Sequence, residues 1–244
     1  MNENRFTGIT ASDYDLTKLI IPHHDEFQDA VASALFSYFD SRPDLPCFRV
    51  LEIGCGTGET TKRLFADERI HMLAAVDASA EMIRIALDEY QHQWKHMATA
   101  EHQVHFFDKD ALSYLNQPYR WNTHAIVSCW TLHNIHQDER AKIVKAAYDR
   151  IDEGGCFVLG DKIAPDDSAE SARIYQEVLK RCDIYDEISR PDFKEEWLEH
   201  LRKDDQPEYR WTQRNVEGTL RDVGFKDVRM KYRKEFETVY VAIK

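Results

Sequence analysis

The 244-residue chain reads as an α/β fold on a mainly parallel sheet of seven strands, with helices on both faces and a helical cap inserted late in the chain. Three observations predict it. Short runs rich in β-branched and aliphatic residues alternate with longer stretches of helical period, the pattern of successive βα units. A glycine-rich turn follows the first of those runs. One charged, aromatic-studded stretch then interrupts the alternation before it resumes.

The predicted strands are Phe48 to Ile53, Met72 to Val76, Val104 to Phe107, Ala125 to Cys129, Phe157 to Gly160, Val228 to Tyr232 and Thr238 to Ile243. Val31, Leu35, Phe36 and Phe39 give a helix before the first strand its apolar face, and Met82, Ile83, Ala86, Leu87 and Tyr90 do the same after the second. A third helix is expected from about Asp138 to Ile151, with Ile143, Val144, Ala147 and Ile151 inward and Gly154-Gly155 ending it. Another stops at the turn "DVGF", Asp222 to Phe225. From Lys162 to about Trp211 the chain is charged, helical in period and studded with Tyr175, Tyr185, Phe193, Trp197, Tyr209 and Trp211. That segment is placed as a cap over the carboxyl edge of the sheet, where open α/β sheets bind ligands.

Composition narrows the function. With 43% hydrophobic and 31% charged residues, and no apolar run near the roughly 20 residues of a membrane helix, no membrane partner is expected. A net charge of -12 opposes a broad phosphate-binding surface, so nucleic acid is not the expected partner. Most acidic residues read as solvated helix faces. The N-terminus lacks the basic start and apolar centre of a secretory signal, and Cys47, Cys55, Cys129, Cys156 and Cys182 form no CxxC pair. A cytoplasmic protein with free thiols and no zinc framework is the expectation.

The informative stretch is "RVLEIGCGTGETTKRLF". Val50, Leu51 and Ile53 make a buried strand, Gly54, Gly56 and Gly58 permit a tight turn with close backbone approach, and Glu59 to Phe65 begins a helix. The dinucleotide pattern GxGxxG requires glycine where Glu59 stands, so a pyrophosphate is disfavoured. The spacing is instead acid-x-GxGxG, with Glu52 two residues before the first glycine. In this, "LEIGCGTG" resembles motif I of the class I S-adenosylmethionine-dependent methyltransferases.

The resemblance covers Arg49 to Asp161 well and Asn215 to Lys244 in a general way. It implies a Rossmann-like sheet and S-adenosylmethionine as cofactor, held by Glu52, the three glycines, and Asp77 at the end of the second strand. An ionised carboxylate there suits both ribose hydroxyls. It further implies Ala78 and Met82 along the adenine face, Asp110 for the adenine amino group with the Ala111 backbone at its ring, and Cys129 and Trp130 beside the methyl donor. Asp108 is the alternative to Asp110, and a lone aspartate after a strand also caps helices. The plan expected along the chain is one domain: lid and first helix over 1–45, cofactor-binding core over 46–161, substrate cap over 162–212, and a closing helix with two strands over 213–244.

Thr131 to His136 then forms one wall of the reaction site, within "TLHNIHQDER". A base is needed only if the acceptor arrives protonated, and His133 is the candidate for that role, with packing over the cofactor as the alternative. His136 reads as a helix-start residue. His133, His136 and Glu139 run from strand end through loop into helix and do not share a face, so no metal is expected. In the segment "DYDLTKLIIPHHDEF", Tyr14 and the His23-His24 pair stand where relatives close over the cofactor, although both histidines also suit a helix entrance at the surface. The expected reaction is methyl transfer to a small-molecule acceptor. Alternatives are a tRNA-modification enzyme like carboxy-SAM synthase, suggested by "GDKIAPDD" after the fifth strand, or a non-catalytic module that binds S-adenosylmethionine. A homodimer is left open.

Overall fold

The computed structural model describes residues 13–118 and 123–244, so the first twelve positions of the expected lid lie outside the described residues. The sheet is seven-stranded, in the order β3-β2-β1-β4-β5-β7-β6. Its strands are β1 (Phe48–Ile53), β2 (Ile70–Asp77), β3 (Gln103–Asp108), β4 (Thr123–Cys129), β5 (Ile151–Lys162), β6 (Asp227–Lys234) and β7 (Glu237–Ile243). The first five are parallel, and β7 inserts antiparallel between β5 and β6. The chain order reverses between β1 and β4, and the crevice beyond the carboxyl ends at such a switch point is where this architecture binds ligands.

The central strands are buried on both faces, which is why they read as nearly continuous apolar runs. Alternate residues serve two cores. Val50, Val127 and Val158 pack with Phe27, Val31, Leu35 and Phe39 of α1 (His24–Asp40) on one face. On the other, Leu51, Ile126 and Phe157 meet Ile143, Val144 and Ala147 of α5 (Gln137–Arg150) and Val216 and Leu220 of α9 (Gln213–Val223). Three shorter helices follow the first three strands: α2 (Glu59–Leu64), α3 (Ala80–Glu89) and α4 (Ala111–Leu115).

The third predicted helix ends earlier than its glycines suggest. α5 stops at Arg150, and Ile151 already begins β5, so Gly154 and Gly155 lie inside a strand. The pairing steps from Thr123↔Ile151 to Ala125↔Cys156, which makes the intervening residues a bulge. A Cβ on Gly155 would stand 2.6 Å from the His124 carbonyl oxygen, so that glycine serves close backbone approach, not a helix end. Leu87 also departs from its predicted face and is exposed, and Tyr90 opens a π-helical turn, Tyr90–Trp94.

The cap consists of α6 (Ser168–Arg181), the short α7 (Ile184–Glu187) and α8 (Pro191–Asp204). Cys182, Tyr185, Phe193, Trp197 and Leu201 form a small core of their own, joined by Ile20 from the N-terminal segment. That segment, a 3-10 turn over Tyr14–Leu19, is tied down by Tyr185 Oη donating to the Leu16 carbonyl (3.1 Å) and by an Arg190–Asp13 ion pair (2.9 Å). Trp211 does not join the cap. It packs in the core beneath the sheet with Val216 and Leu220.

Candidate active site

The turn after β1 is left-handed at Gly54 (φ 71°), Gly56 (φ 53°) and Gly58 (φ 91°). A Cβ on Gly54 would lie 2.1 Å from Thr131 Oγ1, so this turn touches the turn after β4 directly. Nothing lies within 4 Å of a Cβ placed on Gly56, whose backbone faces open space. Asp77, at the end of β2, accepts from the Gly56 N–H (2.9 Å) and the Ser79 N–H (2.8 Å). A carboxylate offers about four lone-pair sites, so about two remain for a ligand. Burial raises the Asp77 pKa above the usual carboxylate range. Asp108 sits beside it in register on β3.

Glu52 is fully buried beneath the turn. Its Oε2 accepts from Thr61 Oγ1 (2.6 Å), its Oε1 has no partner among the described residues, and burial pushes its pKa up to about 8. Ala78 is exposed at the rim next to Asp77. Met82 is 2% exposed and belongs to the helix core, leaving a ligand only its edge. Asp110 is exposed and caps α4, its Oδ1 accepting from Ser113 N–H (2.9 Å), while Ala111 opens that helix. Cys129 is buried, its thiol 3.6 Å from Gln28 Oε1, and burial raises its pKa well above the thiol range.

Beyond β4 the chain turns through Trp130, a non-glycine residue at φ 46°, with its N–H held by the Gly160 carbonyl (2.9 Å). Strained residues of this kind cluster at functional sites. The 3-10 turn Leu132–Asn134 follows, carrying the buried His133. Asp161, fully buried near the end of β5, accepts from the backbone N–H groups of Leu132 (2.9 Å) and His133 (3.3 Å) and lies 2.5 Å from His133 Nδ1. Arg140 braces the same turn by donating to the carbonyls of Leu132 (2.9 Å) and Ile135 (2.8 Å). Burial lowers its pKa to about 10.

A cavity open to solvent, with about 630 Å³ of empty space counting its mouth, lies over this turn, between the N-terminal segment and the cap. Tyr14, Ile20, Trp130, Val178, Trp197 and Phe236 supply apolar wall, and His133, Lys162, His200 and Asp204 are among its polar groups, with Arg181, Glu235 and Glu237 also on the lining. Tyr14 thus reaches the site, and burial raises its pKa. The two N-terminal histidines separate: His23 precedes α1 as its cap residue, whereas His24 is buried and stacked on Trp130 at 5.0 Å. His136 is the N-cap of α5, as its place in the sequence suggests. The fold brings His133 to His200 and Asp204, not to His136 and Glu139.

Comparison with known proteins agrees with this geometry. Residues 50–155 match the family described as a methyltransferase domain. Among solved structures, a putative S-adenosyl-L-methionine-dependent methyltransferase from Methanococcus maripaludis is 18% identical, covering 100% of this chain and 96% of that one, with a TM-score of 0.61. Magnesium protoporphyrin IX methyltransferase from Synechocystis PCC 6803 with bound SAH is 17% identical over 94% of this chain and 87% of that one (TM-score 0.60). An O-methyltransferase family 2 protein from Planctomyces limnophilus in complex with apigenin is 14% identical over 81% and 51% (TM-score 0.58). No curated protein sequence matches the chain. Residues 50–155 are thus similar to a methyltransferase domain, and the chain has the fold of the class I S-adenosylmethionine-dependent methyltransferases. S-adenosylmethionine is the cofactor of that class.

The turn fits such a cofactor on its own evidence: an open glycine backbone at Gly56, a carboxylate with acceptor capacity at Asp77, and an unpartnered buried oxygen on Glu52. Asp161, Arg140, His200 and Asp204 escape a reading of the linear sequence. Asp161 carried one signal, an acid directly after the apolar run "CFVLG".

Proposed function

We propose that the protein transfers a methyl group from S-adenosylmethionine to a hydroxyl of a small molecule held in the cavity over His133. The observation that carries this reading is the buried Asp161–His133 pair on the cavity wall. Asp161 accepts the Nδ1 proton, which leaves the Nε2 lone pair of His133 available to take a proton. Glu52, Gly54, Gly56 and Asp77 hold the cofactor, with Asp77 on the ribose hydroxyls. Ala78 and the Asp110–Ala111 helix start flank the adenine, and the buried Met82 and Cys129 back the site. When bound, S-adenosylmethionine supplies a methyl group already activated for attack.

The chain's task is then to hold the acceptor oxygen in line, keep water out, and receive the proton. His133 Nε2 would receive the acceptor's hydroxyl proton as the oxygen takes the methyl group, whose bond to the sulfonium sulfur breaks to leave neutral S-adenosylhomocysteine. Trp130 and the apolar cap side chains favour a largely apolar or aromatic acceptor.

A panel of hydroxylated aromatic compounds, followed by release of S-adenosylhomocysteine, identifies the acceptor. With that acceptor, His133→Asn is expected to lower kcat by about 10² to 10⁴ while cofactor binding stays unchanged by calorimetry. Unaltered turnover in the variant would remove His133 from the chemistry.

A further inference from the structure

His133 follows β4, whereas His200 and Asp204 stand one turn apart on α8. Folding places His133 Nε2 3.9 Å and His200 Nε2 3.8 Å from Asp204 Oδ2. One ligand atom from each lies within 4.8 Å of the other two, and all three residues are buried. Ligand atoms about 2.0–2.2 Å from a tetrahedral ion lie only somewhat closer together than this. Two imidazoles and a carboxylate are, moreover, a donor set suited to zinc that keeps one coordination position open.

The surroundings are organised for the same purpose. Asp161 holds His133 Nδ1 at 2.5 Å, the outer carboxylate that orients a metal-binding imidazole and directs its other nitrogen inward. The His200 ring is fixed in plane by stacking on Trp197 at 4.7 Å and 7°. All three side chains line the cavity, which provides the route in. Lys162, at the end of β5, reaches Asp204 Oδ2 at 2.9 Å and supplies the positive charge there.

We propose that His133, His200 and Asp204 form a binding site for a divalent transition metal of the zinc class, with the Lys162 ammonium as the competing cation. The fourth position of the ion faces the cavity and takes water or a heteroatom of a bound small molecule. Metal and proton use the same Nε2 lone pair of His133, so occupancy by one excludes the other. The site stands on ligand geometry and does not rest on the methyl-transfer reading.

The test uses the full chain, purified without chelator, and the metals Zn(II) and Co(II) alone. The wild type is expected to bind one equivalent of Zn(II) in calorimetry and to give the intense visible absorption of tetrahedral Co(II), which Zn(II) then quenches. His200→Ala and Asp204→Ala are expected to lose that spectrum, His136→Ala to keep it, and Lys162→Met to bind several-fold more tightly. X-ray absorption of the Zn-loaded wild type, which needs no variant to fold, is expected to show imidazole and oxygen ligands. No stoichiometric binding by the wild type, an all-oxygen or sulfur-containing shell, or full binding by folded His200→Ala overturns the site. Metal failure with a turnover defect in His133→Asn leaves the proposed reaction intact. Metal binding without turnover separates the two the other way.

Discussion

Asp161 accepts hydrogen bonds from Leu132 N–H, His133 N–H and its own Lys162 N–H (2.8 Å) while also meeting His133 Nδ1, all without solvent contact. Asp161→Asn puts a donor where these donors converge. It is expected to cost about 1–3 kcal/mol of stability by denaturant titration and to lower turnover as well, because the imidazole loses its orienting partner. Glu52 gives the pH dependence. Its folded-state pKa of about 8 lies above the ordinary 4.5, so between those values the folded protein holds a proton that the unfolded chain has lost. Stability from this group therefore falls as pH rises from about 4.5 to about 8, and is level above that. Glu52→Gln keeps the shape without the charge: its melting temperature is expected to exceed that of the wild type at mildly alkaline pH, with the gap closing towards pH 4.5. The glycine turn and Asp77 are legible in the sequence because their spacing lies within one βα unit and its neighbour. The His133–Asp204 proximity is not legible: the two residues belong to different elements, and His200 with Asp204 looks like any polar pair on a helix face.

At the scale of elements, the central strands are visible as apolar runs because the sheet is covered there on both faces, whereas the edge strand β6 shows only the alternation of Val228, Met230 and Tyr232 with charged residues. Their ends are less so. β5 extends well before Phe157, because the chain leaves α5 and enters the strand with no intervening loop. In the pair Gly154-Gly155, which resembles a helix terminator, Gly155 answers to the nearby His124 carbonyl and Gly154 to a left-handed backbone (φ 73°). Gly155→Ala is accordingly expected to destabilise the protein by more than about 1 kcal/mol, whereas a substitution at the exposed Leu87 changes stability by about 0.5 kcal/mol or less. Gly54→Ala is the sharper case, since its new methyl group strikes Thr131 and its backbone is left-handed. Thr131→Gly in the same chain relieves the collision but not the backbone strain. A double-mutant cycle on melting stability should show partial rescue; strictly additive losses would contradict the contact.

For the whole molecule, the proposed cofactor and acceptor regions belong to different parts of the packing. The proposed binding at Gly56 and Asp77 would stabilise the sheet: at a concentration of about 100 Kd, S-adenosylhomocysteine is expected to add about 2.7 kcal/mol, raising the melting temperature by several degrees. Asp77→Ala should abolish most of that shift, and a variant that still melts higher with ligand would take the ribose role from Asp77. The alternation of βα units made this architecture predictable from the sequence. The interruption after the fifth strand falls at the sheet's carboxyl edge, and residues of α6 and α8 there line the cavity together with Trp130 and His133. The cap's partnership with the N-terminal segment was not legible, since Ile20 and Tyr185 meet only through tertiary packing.

That partnership has a thermal consequence. The cavity is walled by a satellite cluster around Tyr185, Phe193 and Trp197, much smaller than the two cores that hold the sheet. Units with few apolar contacts open at lower free energy than the body they sit on. Backbone amides of α6 and α8 are therefore expected to exchange with deuterium sooner than those of β1 and β4. On heating, turnover should fail while the circular dichroism of the sheet is still intact, so the working temperature range is set by the cap and not by the melting point of the protein.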